Sequence, residues 1–282
     1  MSFDNLNIGW QGLIKLYNIL ENEKAKICPI AHTYITAHIG VLLNKNGEFL
    51  CAQIPEVKGE LIPVPCTEES ERRTSGIAPH LLHDNLGYVS PYPKYTKRYE
   101  MYIAQLGRYI KKNPCDEYAN SIYQYVSKGT LLADLGDILN TKFSFSLDKA
   151  NVIFCVYGLD NEGVDQEWTK YYLSTLPQTG ICTITGVCDY IPVAYPACIV
   201  SPSGMERLFL EGAGVGYTAS QKIIHTIQYL VYASKNENRV EAESHIRNYL
   251  EGNTSEENLK RWIEKEYPGK WNQFINLLKF QN

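Results

Sequence analysis

The stretch TYITAHIGVLLNKNGEFLCAQI, residues 33–54, carries an extended pattern on both sides of a turn. Apolar side chains alternate from Ile35 to Leu43, which is typical of a half-buried strand. Asn46 and Gly47 then supply a turn, after which residues 47–54 resume the extended pattern. We therefore predict a β-hairpin across this stretch.

Helical and extended patterns follow one another on both sides of this hairpin. Residues 9–21 place apolar side chains at helical spacing, so we predict an amphipathic helix before it. The two prolines of LIPVPC (61–66) restrict that segment to an extended loop or an edge strand. Further predicted elements are helices at 97–113, 117–127 and 164–176, a second hairpin that pairs FSFSL (143–147) with NVIFCVYGL (151–159), and strand-like residues at 181–194 broken by Gly186.

The pattern becomes purely helical from Tyr217 onward. Predicted helices cover 217–235, 240–251, a segment that opens with a capping box at Thr254, and 269–280. The sequence thus predicts an α+β protein with a mixed sheet-and-helix region first and a small helical part at the end. We place the division between an α+β region at 1–211 and a helical C-terminal region at 212–282.

Composition places the chain among cytoplasmic globular proteins. No apolar run is long enough to span a bilayer, and the N-terminus MSFDNLNIGW lacks the layout of a secretory signal, so we expect no membrane contact. The eight cysteines are scattered along 282 residues. In a reducing cytosol most such cysteines are best interpreted as small buried apolar residues, not disulfides.

Positive charge is concentrated in one block of an acidic chain. The net charge is −4, but residues 72–112 hold eight basic and two acidic side chains, a local net of +6 that leaves −10 for the rest. A localised basic block distinguishes a binding surface from an evenly solvated one. The chain is therefore not a general polyanion binder, and any anionic partner is expected at this block.

Three kinds of chemical site find little support in the residue patterns. Cys182, Cys188 and Cys198 lack the spacing and the fourth ligand of a zinc site, so no metal and no cofactor is expected. His83 and Asp84 are chain neighbours, which seldom point together as a catalytic base and its orienting group must. The glycine-dense stretch GAGVGYT (212–218) lacks the Lys-Ser/Thr ending of a phosphate-binding loop and is interpreted as a linker.

Nucleic-acid binding is the fourth possibility, and the stretch ERRTSGIAPHLLHDNLGYV (71–89) supports it. Arginine pairs contact phosphates or guanine edges, small hydroxyl residues and glycine N–H groups donate to phosphates, and an Asn reads a base edge. Tyrosines interleaved with lysines at 88–99 suit base stacking. A solvated basic helix beside a well-capped loop explains the same residues, and from the residues alone both interpretations stay open. The candidate residues are Arg72, Arg73, Thr74, Ser75, Gly76, Asn85, Lys94, Lys97, Arg98, Lys111 and Lys112.

The motif R-T-S-G-I-A-P-H-L-L-x-D-N-x-x-Y-V, residues 73–89, resembles a family signature. It is similar to the large subunit of type I-C CRISPR effector complexes, the Cascade large subunit of the Csd family. The resemblance spans roughly residues 10–200. Supporting segments occur in the expected order: GLIKLYNIL, ITAHIGVLLNKNGEFL, FSFSLDK, VDQEWTKYYLS and ICTITGVCDYIPVAYP.

This resemblance implies a non-enzymatic role in antiviral defence. Such subunits contact crRNA and the other Cascade subunits, and they recognise the PAM in duplex target DNA, while a separate helicase-nuclease cleaves. Two departures keep alternatives open: Tyr195-Pro196 stands where His-Pro is expected, and the helical region after it is short for the family. The chain is then a compact subunit, the N-terminal piece of a split one, or a mobile-element mimic that inhibits the complex as an anti-CRISPR. An unrecognised hydrolase that uses His83 or a Cys/His site is a further alternative.

Overall fold

The computed structural model describes residues 3–22, 27–55, 61–71, 73, 76–160, 162–192, 214–232, 255, 257–258 and 261. The chain divides into two compact units, one made of Met1–Ile30 with Leu176–Asn282 and the other of Ala31–Thr175. Helices and strands coexist in both units, so the prediction of an α+β fold is confirmed. The predicted division between residues 211 and 212 falls outside the described residues and stays a prediction.

The described residues of the first unit include two long helices and a short hairpin. Their bounds are α1 Phe3–Asn22, β7 Gly180–Ile181, β8 Cys188–Asp189 and α8 Tyr217–Tyr232. Helix α1 buries Trp10, Leu13, Tyr17 and Leu20 at helical spacing, as predicted. It packs against α8, where Thr226 Oγ1 donates to the carbonyl of Leu13 at 3.2 Å. The helices predicted at 240–251, from Thr254 and at 269–280 lie outside the described residues.

The described residues of the second unit form six strands in two sheets, covered by helices. The strands are β1 His32–Thr36, β2 Ile39–Leu43, β3 Phe49–Gln53, β4 Leu61–Pro65, β5 Asp84–Asn85 and β6 Asn151–Val156. One sheet has the order β3-β2-β6-β5, and the other is the pair β1-β4. The helices are α2 Glu68–Glu71, α3 Leu86–Val89, α4 Thr96–Lys112, α5 Glu117–Val126, α6 Leu131–Leu135 and α7 Glu162–Thr175, with 3₁₀ turns at Pro93–Tyr95, Gly136–Asn140 and Leu147–Lys149.

The predicted hairpin of residues 33–54 is confirmed as the antiparallel pair β2–β3, but its first strand is shorter than predicted. The chain changes sheets at Ala37-His38, so residues 32–36 become β1 and pair with β4. His38 holds this junction, because its N–H donates to the carbonyl of Asn151 at 3.1 Å and its Nδ1 accepts from the Asn151 N–H at 3.0 Å. The segment LIPVPC forms β4, an edge strand, as its prolines predicted.

The second predicted hairpin, 143–147 with 151–159, is wrong. Strand β6 pairs in parallel with β2 on one side. On the other side Asn151 and Val152 pair with β5, and the Phe154 N–H and carbonyl bond to the His83 and Tyr118 side chains, so the preceding segment does not pair with β6. Phe143 and Phe145 alternate as they would in a strand, but their rings stack on each other at 5.3 Å. Parallel pairing suits β6, since its buried run from Val152 to Phe154 is nearly continuous.

Helices α4 and α5 pack together, and α5 lies on the β2–β6 pair of this sheet. Helix α4 ends and helix α5 begins close to the predicted positions, on either side of Asn113-Pro114. Asp116 caps α5 by accepting the N–H of Ala119 at 2.8 Å. This arrangement fixes α4 on the body of the unit and leaves the opposite side of α4 in solvent.

Candidate nucleic-acid interface

Arg73 and Asp84 form a two-pronged ion pair inside the Arg73–Val89 motif. Arg73 Nη1 donates to Asp84 Oδ2 at 2.6 Å, and Nη2 donates to Oδ1 at 2.8 Å. The Asp84 side chain is fully buried and that of Arg73 is 17% exposed. Arg73 Nη1 also donates to the carbonyl of Ala78 at 2.9 Å, and the N–H of His80 donates to Asp84 Oδ2 at 2.9 Å.

These contacts set the charge state of the pair. Burial alone would raise the pKa of Asp84, but His80 and the Arg73 guanidinium bring that pKa below its ordinary value. Burial would likewise lower the pKa of Arg73, and the hydrogen bond and charge of Asp84 raise it instead. Both groups are therefore ionised at neutral pH and neutralise each other within the fold.

The two histidines of the motif are buried and have separate partners. His83 Nδ1 accepts the N–H of Phe154 at 3.2 Å, while His80 Nε2 lies 3.2 Å from the carbonyl of Ser70. Burial, with a smaller contribution from His80, lowers the pKa of His83 to about 3. As expected for chain neighbours, His83 and Asp84 do not form a base-and-orienter pair, since each faces a different partner.

Tyr88 is the centre of a ladder of cations and rings. The guanidinium carbons of Arg73 and Arg98 lie 4.2 Å and 5.3 Å from the centroid of its ring. Arg98 is also 4.1 Å from the Tyr95 centroid, and Lys94 Nζ is 5.3 Å from that same ring. All of these distances are within cation–π range. We refer to this set, Arg73, Tyr88, Arg98, Tyr95 and Lys94, as the Arg–Tyr ladder.

The ladder corrects one expectation about the tyrosines. Tyr88 is only 2% exposed, so its ring is not available for stacking on a base. Tyr99 is half-buried and its hydroxyl donates to the carbonyl of Val126 at 2.5 Å. These two rings serve the fold, and Tyr95 holds Arg98.

The exposed side of α4 carries a row of cations, which we call the basic face. Tyr102, Leu106 and Tyr109 are buried against the body of the unit. The exposed side chains on the opposite side share one helical face, because successive members are 4, 3, 4, 3 and 1 residues apart. They are Lys97, Met101, Ala104, Arg108, Lys111 and Lys112, and the exposed carboxylate of Glu100, three residues after Lys97, lies on the same side.

The cations of the basic face have no internal acid partner in the described part of the chain. None of the ion pairs between described residues includes Lys97, Arg108, Lys111 or Lys112. They extend over roughly 22 Å at the rise of an α-helix. Charges that the fold leaves unpaired on one exposed face are able to bind the phosphates of a nucleic acid.

Arg108 belongs to this face but was absent from the candidate residues selected from sequence. Its position eleven residues after Lys97 and three before Lys111 was the available signal, since these spacings fall on one side of a helix. Lys111 and Lys112 lie in the last turn of α4, where positive charge also suits the helix dipole.

The remaining predicted residues have different placements. Arg72, Thr74 and Ser75 lie outside the described residues. Gly76 is exposed with a φ of 86°, and an added Cβ would meet nothing within 4 Å. Asn85 Oδ1 is buried without a hydrogen-bond partner among the described residues. The structure brings Arg73, Arg98 and Lys94 together in the ladder, and it places Lys97, Lys111 and Lys112 on the basic face; their nucleic-acid contacts stay predictions.

A carboxylate of the same unit already accepts a backbone N–H at the start of α8, directly after the glycine-rich stretch. Asp189 Oδ2 accepts the N–H of Thr218 at 3.0 Å in the first turn of α8. An anion at this helix start would meet the negative charge of Asp189. Across the described part of the chain, no group of three His, Cys, Asp or Glu side chains is placed to hold a metal ion, and Cys198 lies outside it. No helix among the described residues is long and apolar enough to cross a membrane.

Comparison with known protein families agrees with the resemblance of the motif. The chain matches the family model described as CRISPR-associated protein (Cas_Csd1) over residues 13–200. The chain therefore belongs to the CRISPR-associated Csd1 family, in keeping with the resemblance to Csd-type Cascade large subunits. A comparison with curated proteins finds no match.

Proposed function

We propose that this chain is the large subunit of a type I-C Cascade complex, which binds crRNA and the other Cascade subunits and recognises PAM-bearing duplex DNA. In this role it works in the cytoplasm, in antiviral defence, and without catalysing a reaction. Family membership supports a CRISPR-associated protein that works within a complex. The observation that carries the nucleic-acid part is the basic face of α4.

The basic face favours nucleic acid because its charge is concentrated and unpaired with any described carboxylate. Lys97, Arg108, Lys111 and Lys112 share one exposed side, and the described residues provide no carboxylate that pairs with them. A protein that neutralises phosphates releases counterions, so its affinity falls with salt in proportion to the number of phosphates it neutralises. The rest of the chain is acidic overall, which directs a polyanion to this block.

The test is the salt dependence of duplex binding by the assembled complex. The chain is co-expressed with type I-C backbone subunits and crRNA, and affinity for a PAM-bearing duplex is measured from low to physiological salt. Changing Lys97, Arg108, Lys111 and Lys112 together to Gln is expected to reduce the slope of log affinity against log salt by roughly 0.9 for each phosphate that the variant no longer neutralises. The matched control is Lys170→Gln, an exposed lysine that pairs with Glu167 on α7.

Two other outcomes identify the alternatives. An unchanged slope in the quadruple variant shows that the basic face does not bind DNA. A native chain that joins the complex, displaces the resident large subunit and abolishes duplex binding is a mimic that inhibits the complex. Nuclease activity that is lost in His83→Gln would contradict the non-enzymatic role.

A further inference from the structure

Arg98 differs from the exposed cations near it because its guanidinium is held by two rings. It lies 4.1 Å from the centroid of Tyr95 and 5.3 Å from that of Tyr88. The neighbouring Lys97 and Lys94 are exposed lysines on flexible stems, whereas Arg98 is half-buried. A guanidinium held against aromatic faces keeps its N–H donors directed outward along its edge.

The rings that hold Arg98 are themselves fixed by the fold. Tyr88 is buried and stacks with Arg73, whose guanidinium is locked on Asp84 by two hydrogen bonds. Tyr95 lies against Gly87, where an added Cβ would come within 3.2 Å of its ring. The buried ion pair of the motif is thus connected, through Tyr88, to a cation at the surface.

The donors of Arg98 are not used inside the described part of the chain. No hydrogen bond or ion pair joins its guanidinium to another described residue. Its nitrogens are not among the buried polar atoms that lack a partner, so they reach solvent. A fixed guanidinium with an open edge matches a ligand that offers two neighbouring oxygens.

We propose that Arg98 is a pre-oriented, two-pronged phosphate contact, held by Tyr88 and Tyr95, and that its shape as well as its charge contributes to DNA affinity. This inference rests on the proposed function and refines it. The lysines of the basic face act as mobile point charges, whereas Arg98 fixes one phosphate in one place. The motif supplies the anchor for this contact through Arg73 and Asp84.

The decisive variant keeps the positive charge at position 98 and removes the two-pronged guanidinium. In the assembled complex, Arg98→Lys is expected to lower affinity for a PAM-bearing duplex roughly tenfold while leaving the salt slope unchanged, because one cation replaces another. Arg98→Ala is expected to lose at least as much affinity and to reduce the slope by roughly 0.9. The matched control is Lys170→Arg, a charge-conserving exchange at an exposed lysine of α7 outside the basic block, which is expected to stay within about twofold of the native affinity.

Removing a ring tests the support. Tyr95→Leu is expected to weaken binding severalfold with an unchanged slope, and Tyr95→Phe, which keeps the ring face, is expected to weaken it less. Thermal unfolding of each variant is measured alongside, and a melting temperature within a few degrees of the native value excludes a general loss of structure. The loss in Arg98→Lys is also expected to be the same on duplexes that differ in sequence, because phosphates carry no sequence information.

Native affinity in Arg98→Lys overturns the inference, since charge alone would then suffice. A loss confined to duplexes with guanine at one position also overturns it and makes Arg98 a base contact. If the native complex binds duplex DNA and these variants behave like Lys170→Arg, the inference fails while the proposed function stands. If the native complex binds no duplex, the proposed function fails and the inference fails with it.

Discussion

Both carboxylate oxygens of Asp84 accept hydrogen bonds from Arg73, which precedes it by eleven residues. The pair closes the loop between α2 and β5 and lies where the Arg73–Val89 motif is richest in polar side chains. Its guanidinium also faces the ring of Tyr88, so the same arginine joins a buried carboxylate to the Arg–Tyr ladder. The motif was predicted from sequence to contact nucleic acid, and its Arg73–Asp84 ion pair has a structural role.

We expect Arg73→Ala to destabilise the fold by about 3–5 kcal/mol, because it leaves the buried Asp84 carboxylate without its partner. Chemical denaturation of the purified chain measures this loss. Arg108→Ala, which removes an exposed arginine of α4, serves as the control and is expected to change stability by about 0.5 kcal/mol or less.

A double variant separates the pair from its surroundings. Because the carboxylate is what becomes uncompensated, Arg73→Ala with Asp84→Ala is expected to cost less than the sum of the two single changes. Additive losses would mean that the two residues act independently and would contradict the assigned role of the ion pair.

Local patterns predicted most elements of this fold, and long-range pairing decided the rest. The amphipathic face of α1, the β2–β3 turn and the proline-limited edge strand β4 all depend on neighbours in the chain. The parallel pairing of β2 with β6 joins residues more than a hundred positions apart, and no local pattern specifies it. It was this pairing that displaced the predicted hairpin at 143–159.

The candidate site shows the same division. The basic block and its helix were visible in the sequence, because charge and helical spacing are local properties. The sequence did not reveal that Arg73 would be directed inward and Arg98 outward. Only the positions of Asp84 and of the two tyrosine rings distinguish them.

Stability should fall on acidification in a way that depends on His83. Its pKa of about 3 in the fold is below the ordinary value of 6.5, so the unfolded chain binds the proton more readily. The stabilising contribution is complete above pH 6.5 and is lost as pH falls, by up to about 1.4 kcal/mol per pH unit between the two pKa values.

The test is denaturation of the native chain and of His83→Gln at pH values roughly one unit apart, from about 3.5 to about 7.5. The Gln side chain retains an acceptor for the N–H of Phe154 but does not titrate. The variant is therefore expected to show a shallower pH dependence. Parallel curves would contradict the low pKa of His83.

Gly47 is expected to tolerate no side chain. Its φ of 64° is in the left-handed region, and an added Cβ would lie 2.5 Å from the carbonyl oxygen of Ser121 on α5. Gly47→Ala should therefore cost clearly more than the roughly 1–2 kcal/mol of left-handed strain alone. Gly76→Ala is the matched control, because Gly76 also has a positive φ but has open space around it. Equal losses of stability in the two variants would show that α5 moves to accommodate the Cβ.

Asp189 accepts a hydrogen bond at the start of α8, and its charge and its acceptor have opposite effects on stability. Its carboxylate accepts the N–H of Thr218, and burial raises its pKa above the ordinary value although the Thr218 N–H opposes that rise. The pKa of Asp189 is higher in the folded chain than in the unfolded chain. Ionisation of Asp189 therefore lowers the free energy of unfolding as pH rises past the unfolded-state pKa, and this loss of stability is present at neutral pH.

We therefore expect Asp189→Asn, which keeps an acceptor and removes the charge, to be at least as stable as the native chain at pH 7. Asp189→Ala removes the acceptor and is expected to lose about 1 kcal/mol, the usual value of a helix cap. Thermal or chemical denaturation compares the two, with the exposed Asp137→Ala as the control. If Asn destabilises as much as Ala does, the negative charge itself holds the start of α8, through its attraction to the helix dipole.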